Sequence, residues 1–238
     1  TIVFLKGCVL RCKWCCNPES QEYQIQTMIV QGKPKIIGRD VTVEEVMETV
    51  VKDEPYYRRS GGGLTLSGGE SLCQAEFARD LLHAAKARGM NTAMESMAGL
   101  PYEKIEMLLP YLDNYLMDIK HIDPEKHKRF TGRSNELMLE NARKVAESGQ
   151  TRLDIRVPVI PTFNDKPEEI RAIAQFADKL PGVKKIHLLP YHRLGQDKYT
   201  GLGRDYEMDG ILPPDNAYME MLRQVVQQNS SLYCQIGG

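Results

Sequence analysis

The chain has 238 residues, 31 Lys and Arg against 32 Asp and Glu, a formal net charge of −1, and 42% hydrophobic residues. This is an ordinary globular balance in a chain long enough to bury a sizeable core, and it argues against a surface built for nucleic acid or anionic membrane. No apolar run approaches the length that spans a bilayer and no secretory signal opens the chain, so the expected location is the cytoplasm; Thr1 is not methionine, so further residues are expected ahead of it.

The first predicted strand is "TIVFL" (1–5), and directly behind it "CVLRCKWCC" (8–16) holds four of the six cysteines. Without a secretory signal, crowded thiols read as metal or redox ligands rather than a disulfide framework. Cys8, Cys12 and Cys15 on one loop can hold three irons of a cubane cluster and leave the fourth iron open for a small ligand. Two alternatives remain at this point. A structural zinc normally takes four protein ligands, and Cys16 beside Cys15 is a poor fourth; the cysteines could also be unliganded core residues. Residues 17–41 are polar, with Gly32, Pro34 and Gly38, and read as an irregular excursion.

"TVEEVMETVVKD" opens a helix with Thr42 and Glu45 spaced as a capping box. The strand "LTLS" (64–67) lies inside "RSGGGLTLSGGE" (59–70), which is either a plain glycine-rich turn or a place where backbone approaches a ligand. "QAEFARDLLHAAKARG" spaces Phe77, Leu81, Leu82 and Ala85 at helical intervals and stops at Gly89. Then follow the strand "NTAMES" (91–96), the helix "PYEKIEMLLPYL", the strand "YLMDIK" (115–120) and the helix "NELMLENARKVAESG". The strand "LDIRVPVI" (153–160), a helix started by Asp165, Pro167 and Glu168, the strand "KIHLLPY" (185–191) and the helix "PDNAYMEMLRQVVQQ" close the series. Strands alternating with helices predict a parallel sheet, and right-handed crossovers restrict it to a doubly wound sheet or a barrel. No linker or repeat divides residues 1–238, which read as one domain.

Polar residues gather at the strand ends. Glu95 and Ser96 end the third strand, and Asp118 and Lys120, two apart, share a face. Asp154 and Arg156 share a face opposite Leu153, Ile155, Val157 and Val159. The aliphatic face packs helices, so the charged one looks inward, where an unpaired charge is costly. The charges either form an internal ion-pair network or meet a charged ligand. His83, His121 and His127 read as surface histidines without a role.

Three-then-two cysteine spacing, with Trp14 just before the third, resembles the radical S-adenosylmethionine superfamily. The flank "FLKGCVLRCKWCCNPES" is similar to the activating enzymes of glycyl radical enzymes, such as the pyruvate formate-lyase activating type. The resemblance runs from the first strand to "CQIGG". It implies one 4Fe–4S cluster on Cys8, Cys12 and Cys15, with S-adenosyl-L-methionine chelated at the open iron and Trp14 beside the cofactor. Gly68, Gly69 and Glu70 would contact its methionine end, although many relatives have proline where this chain has Ser71. Lys120, Arg156 and His192, the last in "LLPYHRLGQDKY" (188–199), would be further cosubstrate contacts. Glu95, Ser96, Leu116 and Asp118 match a monovalent-cation site for Na⁺ or K⁺, Glu95 standing in for an aspartate. Residues 17–72 hold no cysteine, so the ferredoxin-like segment that many relatives insert is expected to be absent, its place being 17–41.

The fold so implied is a partial (β/α)6 barrel of TIM type, because six units are counted where a full barrel of eight takes about 250 residues. Its open side would admit a peptide loop. The implied activity is an anaerobic oxidoreductase that cleaves S-adenosylmethionine reductively and takes hydrogen from a backbone glycine of a cognate glycyl radical enzyme. Flavodoxin or ferredoxin would be the reductant; a monomer is expected, with no nucleic acid or membrane partner. A radical enzyme acting on a small molecule and an inactive zinc-binding interaction protein are the competing readings.

Overall fold

The computed structural model describes residues 1–237. Strands β1 (Ile2–Leu5), β2 (Gln26–Val30) and β3 (Lys33–Ile37) come first, followed by α1 (Val43–Val50), α2 (Glu54–Ser60), β4 (Gly63–Gly68), α3 (Ala75–Ala87) and β5 (Asn91–Ser96). Then come α4 (Tyr102–Glu106), β6 (Asn114–Asp118), α5 (Pro124–Thr131), α6 (Glu136–Ser148), β7 (Arg152–Val159) and α7 (Pro167–Asp178). β8 (Lys185–Pro190), α8 (Gln196–Gly201), α9 (Asn216–Asn229) and β9 (Tyr233–Ile236) complete the chain. The main sheet is wholly parallel in the order β1-β4-β5-β6-β7-β8-β9, and its end strands β1 and β9 do not pair with each other.

The two faces of this sheet differ as the alternation predicts. Leu64, Leu66, Met94, Tyr115, Met117, Ile155, Val157, Ile186 and Leu188 are buried on the outer face in one core with helix residues such as Leu81, Leu82, Val145, Ile173 and Leu222. Each such side chain contributes about 1.5–3 kcal/mol by leaving water. The inner face carries Ser67, Glu95, Asp118 and Arg156. In register with them, on edge strand β1, Ile2 lies beside Thr65 and Phe4 beside Ser67. Ile2 and Phe4 are apolar yet half-exposed, since among the described residues no further strand covers that side.

All six predicted strands form, and the capping box is present, with Glu45 N–H donating to Thr42 Oγ1 and Thr42 N–H to the Glu45 carboxylate. Three expectations need correction. The sheet has a seventh strand, β9, only four residues long, whose "YCQI" is too short to carry a periodic signal. Residues 17–41 are irregular only at their two ends: between them β2 and β3 pair as an antiparallel hairpin, closed by Gln31 and Gly32, both at positive φ. That two-residue geometry suits the twist of a hairpin, and Pro34 is tolerated because a two-stranded ribbon leaves every strand an edge. Finally, His121 and His127 are interior. His127 Nδ1 lies 2.6 Å from the Arg133 carbonyl, and desolvation lowers its pKa to about 4; His121 Nδ1 accepts from Asp123 N–H at 2.8 Å. His83 is exposed as expected.

One buried side chain ties the strand ends that carry the charged residues. Asn164 Nδ2 donates to the carbonyls of Lys120 and Pro158, and its Oδ1 accepts from Ile160 N–H, each at 2.7 Å. Asn164→Ala would strand three buried backbone groups, so roughly 2–4 kcal/mol of stability should be lost, measured as a lower urea midpoint at unchanged slope. A loss under about 1 kcal/mol would show that water replaces the amide.

Candidate active site

The C-terminal ends of the strands surround a cavity of about 440 Å³. Cys8, Cys12, Cys15, Trp14, Gly68, Gly69, Glu70, Glu95, Ser96, Asp118, Lys120, Arg156 and His192 all line it. Leu116, inward by register, does not. Ligands outside the carboxyl ends of parallel strands are the rule in such sheets.

The cluster loop rests on the end of β4. Gly68 has φ +113°, and a Cβ there would stand 2.4 Å from the Leu5 carbonyl oxygen. A Cβ on Gly69 would meet the Gly7 and Ser20 carbonyl oxygens at 2.3 and 2.5 Å. Backbone bonds fill that space instead, Gly69 N–H donating to Leu5 O at 3.0 Å and Glu70 N–H to Gly7 O at 2.7 Å. The glycines therefore set β4 against the start of the cysteine loop. Glu70 is fully buried behind them; it accepts from Ser96 Oγ–H at 2.7 Å, Leu72 N–H at 3.1 Å and Met97 N–H at 3.1 Å. Burial nonetheless outweighs these donors and raises its pKa.

The inner charges form a network. Arg156 reaches Glu95 through Nη1 and lies 3.3 Å from Asp118 Oδ1 through Nε, while Lys120 Nζ donates to Asp118 Oδ2 at 2.8 Å. Burial would raise the Asp118 pKa, but Lys120 and Arg156 outweigh it and hold the carboxyl below its usual range. Lys120 is held above its usual range because Asp118 and Cys12 outweigh its burial. The network is incomplete: Asp118 Oδ1 and Arg156 Nε are buried without a well-formed hydrogen bond. Asp154 lies on the inner face with Arg156, in register with Leu116, but its ion-pair partner is Arg152, at 2.9 Å, and not Arg156.

Ser96 Oγ donates to Glu70 and also accepts from Tyr115 O–H at 3.0 Å and Ala98 N–H at 3.0 Å. His192 is exposed at the rim, and Trp14 stacks on Phe163 at 4.7 Å between ring centroids. Lys198 is a tie that pattern reading missed: its Nζ donates to the Cys16 carbonyl at 2.9 Å, Asn17 Oδ1 at 3.0 Å and Glu19 Oε1 at 2.6 Å, pinning the far side of the cysteine loop. Its only signal was a place in the "QDKY" run.

The donor set fits an iron–sulfur cluster. Four thiols, those of Cys8, Cys12, Cys15 and Cys16, line one cavity over a floor that excludes side chains. Lys120, Arg156 and Asp118 give the same cavity the mixed charge that a zwitterionic cosubstrate requires.

Residues 2–188 match the radical SAM superfamily. The chain is 34% identical over 290 aligned positions to the (2S)-3-sulfopropanediol dehydratase activating enzyme of Klebsiella oxytoca, covering 100% of this chain and 91% of the relative. It is 36% identical over 228 positions to the pyruvate formate-lyase-activating enzyme of Clostridium pasteurianum, covering 96% of this chain and 90% of the relative. A crystal structure of a domain of pyruvate-formate lyase-activating enzyme from Bacteroides vulgatus superposes with a TM-score of 0.62 at 29% identity, covering 74% of this chain and 99% of that one. The chain belongs to the radical SAM superfamily, and within it to the activating enzymes, whose shared core is a partial TIM barrel. Membership of the superfamily implies a 4Fe–4S cluster and S-adenosylmethionine as cofactors.

Burial raises the thiols, Cys8 to about 12, with Cys12 and Cys15 also raised. In the iron-free protein the folded chain therefore keeps protons that the unfolded chain releases near pH 8.5. Above that pH the folded state binds more protons, so stability present below it is lost as pH rises toward 12. Urea midpoints of iron-free protein should fall between about pH 8 and pH 10, and fall less in Cys8→Ala. A flat profile would show that the loop opens to solvent without iron.

Proposed function

We propose that this protein activates a glycyl radical enzyme, using Cys8, Cys12 and Cys15 to hold the cluster and the rest of the cavity to hold S-adenosylmethionine. The observation that carries the reading is that three thiols, the Gly68–Gly69 floor and the Arg156–Asp118–Lys120 charges share one cavity at the strand ends. When bound, the reduced cluster would supply the one electron for reductive cleavage of S-adenosylmethionine, and the hydrogen atom would come from the partner's glycine Cα. The chain's own groups bind and orient. Gly68, Gly69 and Glu70 would hold the methionine end, Lys120, Arg156 and His192 would meet the charged and polar parts, and Trp14 would stand beside the cluster. Positioning and exclusion of water are the protein's task in such chemistry.

A polypeptide substrate is supported by the unpaired edge of β1 and its exposed inward Ile2 and Phe4, an apolar wall open to a loop from outside. Glycine suits the step because it has no side chain to crowd the approach. A flavodoxin or ferredoxin gives the electron, and the reading keeps the protein a cytoplasmic monomer. The absence of cysteine from 17–72, with a short hairpin in that stretch, supports one cluster and no ferredoxin-like insert.

Arg156 pairs with Glu95 and Asp118, and Lys120 also pairs with Asp118. Were Arg156 to turn to the cosubstrate, Glu95 would lose its counter-charge and Asp118 would keep only that of Lys120, and a Na⁺ or K⁺ ion among Glu95, Ser96, Leu116 and Asp118 would make up the difference. Arg156→Lys keeps the charge but loses the planar fork. It should weaken S-adenosylmethionine binding about tenfold or more at unchanged iron content, measured by calorimetry. Replacing Na⁺ and K⁺ by a bulky organic cation should weaken binding to the unaltered protein as well. Unchanged affinity in Arg156→Lys would leave Arg156 as a structural pair for Glu95 and Asp118.

The function is tested with anaerobic, reduced protein, S-adenosylmethionine and a purified glycyl radical enzyme. The expected result is 5′-deoxyadenosine together with a glycine-centred radical signal on the partner, absent when its glycine is alanine. Steady turnover of a small molecule without a protein partner would contradict it.

A further inference from the structure

Reductive cleavage draws an electron from outside the chain, and the face beside Cys12 has the charge to receive its carrier. Arg11 N–H donates to the Thr131 carbonyl at 2.8 Å and Lys13 N–H to the Phe130 carbonyl at 3.1 Å. The last turn of α5 is thus bonded to the chain on both sides of Cys12. That turn carries Lys128 and Arg129, and Arg133 follows just past Gly132. All three are exposed, and among the described residues none takes part in an ion pair. The helix C-terminus favours Lys128 and Arg129 where they stand, but Arg133 lies outside the helix, so the dipole does not account for the whole patch.

Phe130 sits at its centre, half-buried, with Lys13 Nζ 5.5 Å and Arg129 Cζ 5.2 Å from the ring centroid. It stacks on Phe163 at 4.9 Å, and Phe163 stacks on Trp14 at 4.7 Å. The patch therefore reaches the cysteine loop by two hydrogen bonds and a run of three rings. Lys128, Arg129 and Arg133 do not line the cavity, so a molecule held by them leaves it free for cosubstrate and partner. The chain's net charge is only −1, so attraction of an acidic protein must come from a local cluster such as this.

Resting on the radical reading above, we propose that Lys128, Arg129 and Arg133 around Phe130 dock an acidic one-electron carrier protein. The carrier is oxidised by one electron as the cluster is reduced by one, through the Cys12 segment, and no atom or proton is transferred.

The test uses cluster-loaded protein, with an acidic flavodoxin and an acidic ferredoxin as probes. Binding of each is measured by calorimetry over a salt series, for the unaltered protein, for Lys128→Glu/Arg129→Glu/Arg133→Glu, and for Arg133→Glu alone in case the triple variant folds poorly. At least one carrier should bind the unaltered protein with an affinity that falls as salt rises. Charge reversal should weaken that binding about tenfold or more and flatten the salt slope. Iron content, S-adenosylmethionine affinity and dithionite-driven formation of 5′-deoxyadenosine should not change. The proposal is overturned if neither carrier binds, if the variants bind it unaltered, or if dithionite-driven chemistry falls in parallel, which would mean damage at the cluster. It is overturned too if the variants lose binding of the glycyl partner instead. Failure of the unaltered protein to form 5′-deoxyadenosine with dithionite is a separate result and tells against the radical reading itself.

Discussion

Backbone meets backbone at Gly68 and Gly69, and the rest of the site depends on that approach. β4 ends so close to Leu5 and Gly7 that any Cβ would fall within about 2.4 Å of a carbonyl oxygen. The approach fixes where the cysteine loop leaves β1, carries Glu70 into a wholly buried position, and through the Glu70–Ser96 bond sets the end of β5. Chemistry that demands three thiols on one short loop is thereby built on a rigid strand end rather than on the loop's own conformation.

The charged inner face follows from the sheet being left open. In a closed barrel the inward residues fill a packed interior, whereas here the inner face holds Glu95, Asp118, Lys120 and Arg156, a network in which Asp118 Oδ1 and Arg156 Nε are left without a well-formed hydrogen bond. A buried pair contributes little net stability, and breaking it is costly. Such a network is better suited to exchanging one partner for a ligand than to holding the fold, which the outer aliphatic face already does.

Most of the fold could be read from the chain because its strands are short apolar runs and its helices carry caps and regular apolar spacing. The elements missed were those whose signals are brief or ambiguous. β9 has four residues, and the hairpin hides behind Gly32 and Pro34, which read equally well as loop. α5 was overlooked despite Asp123, Pro124 and Gly132, since its Lys- and Arg-rich face masks the buried His127 and Thr131. Of the site, the residues on the cysteine loop and strand ends were legible from residue type and period. Asn164 and Lys198 were not, because each acts on backbone far away in sequence, 44 residues in one case and 182 in the other. Which acid Arg156 would face was likewise beyond a single strand's pattern: Glu95 and Asp118 come from neighbouring strands, while the nearby Asp154 turns to Arg152.

The central claim, that this cavity directs hydrogen abstraction onto a polypeptide glycine, is tested most directly by isotope transfer. The partner is prepared with its glycine deuterated at Cα and incubated with reduced protein and S-adenosylmethionine, and the 5′-deoxyadenosine is analysed by mass spectrometry. One deuterium should appear in the product for each radical formed on the partner. Unlabelled 5′-deoxyadenosine from a pair that turns over would place the hydrogen source elsewhere and contradict the account.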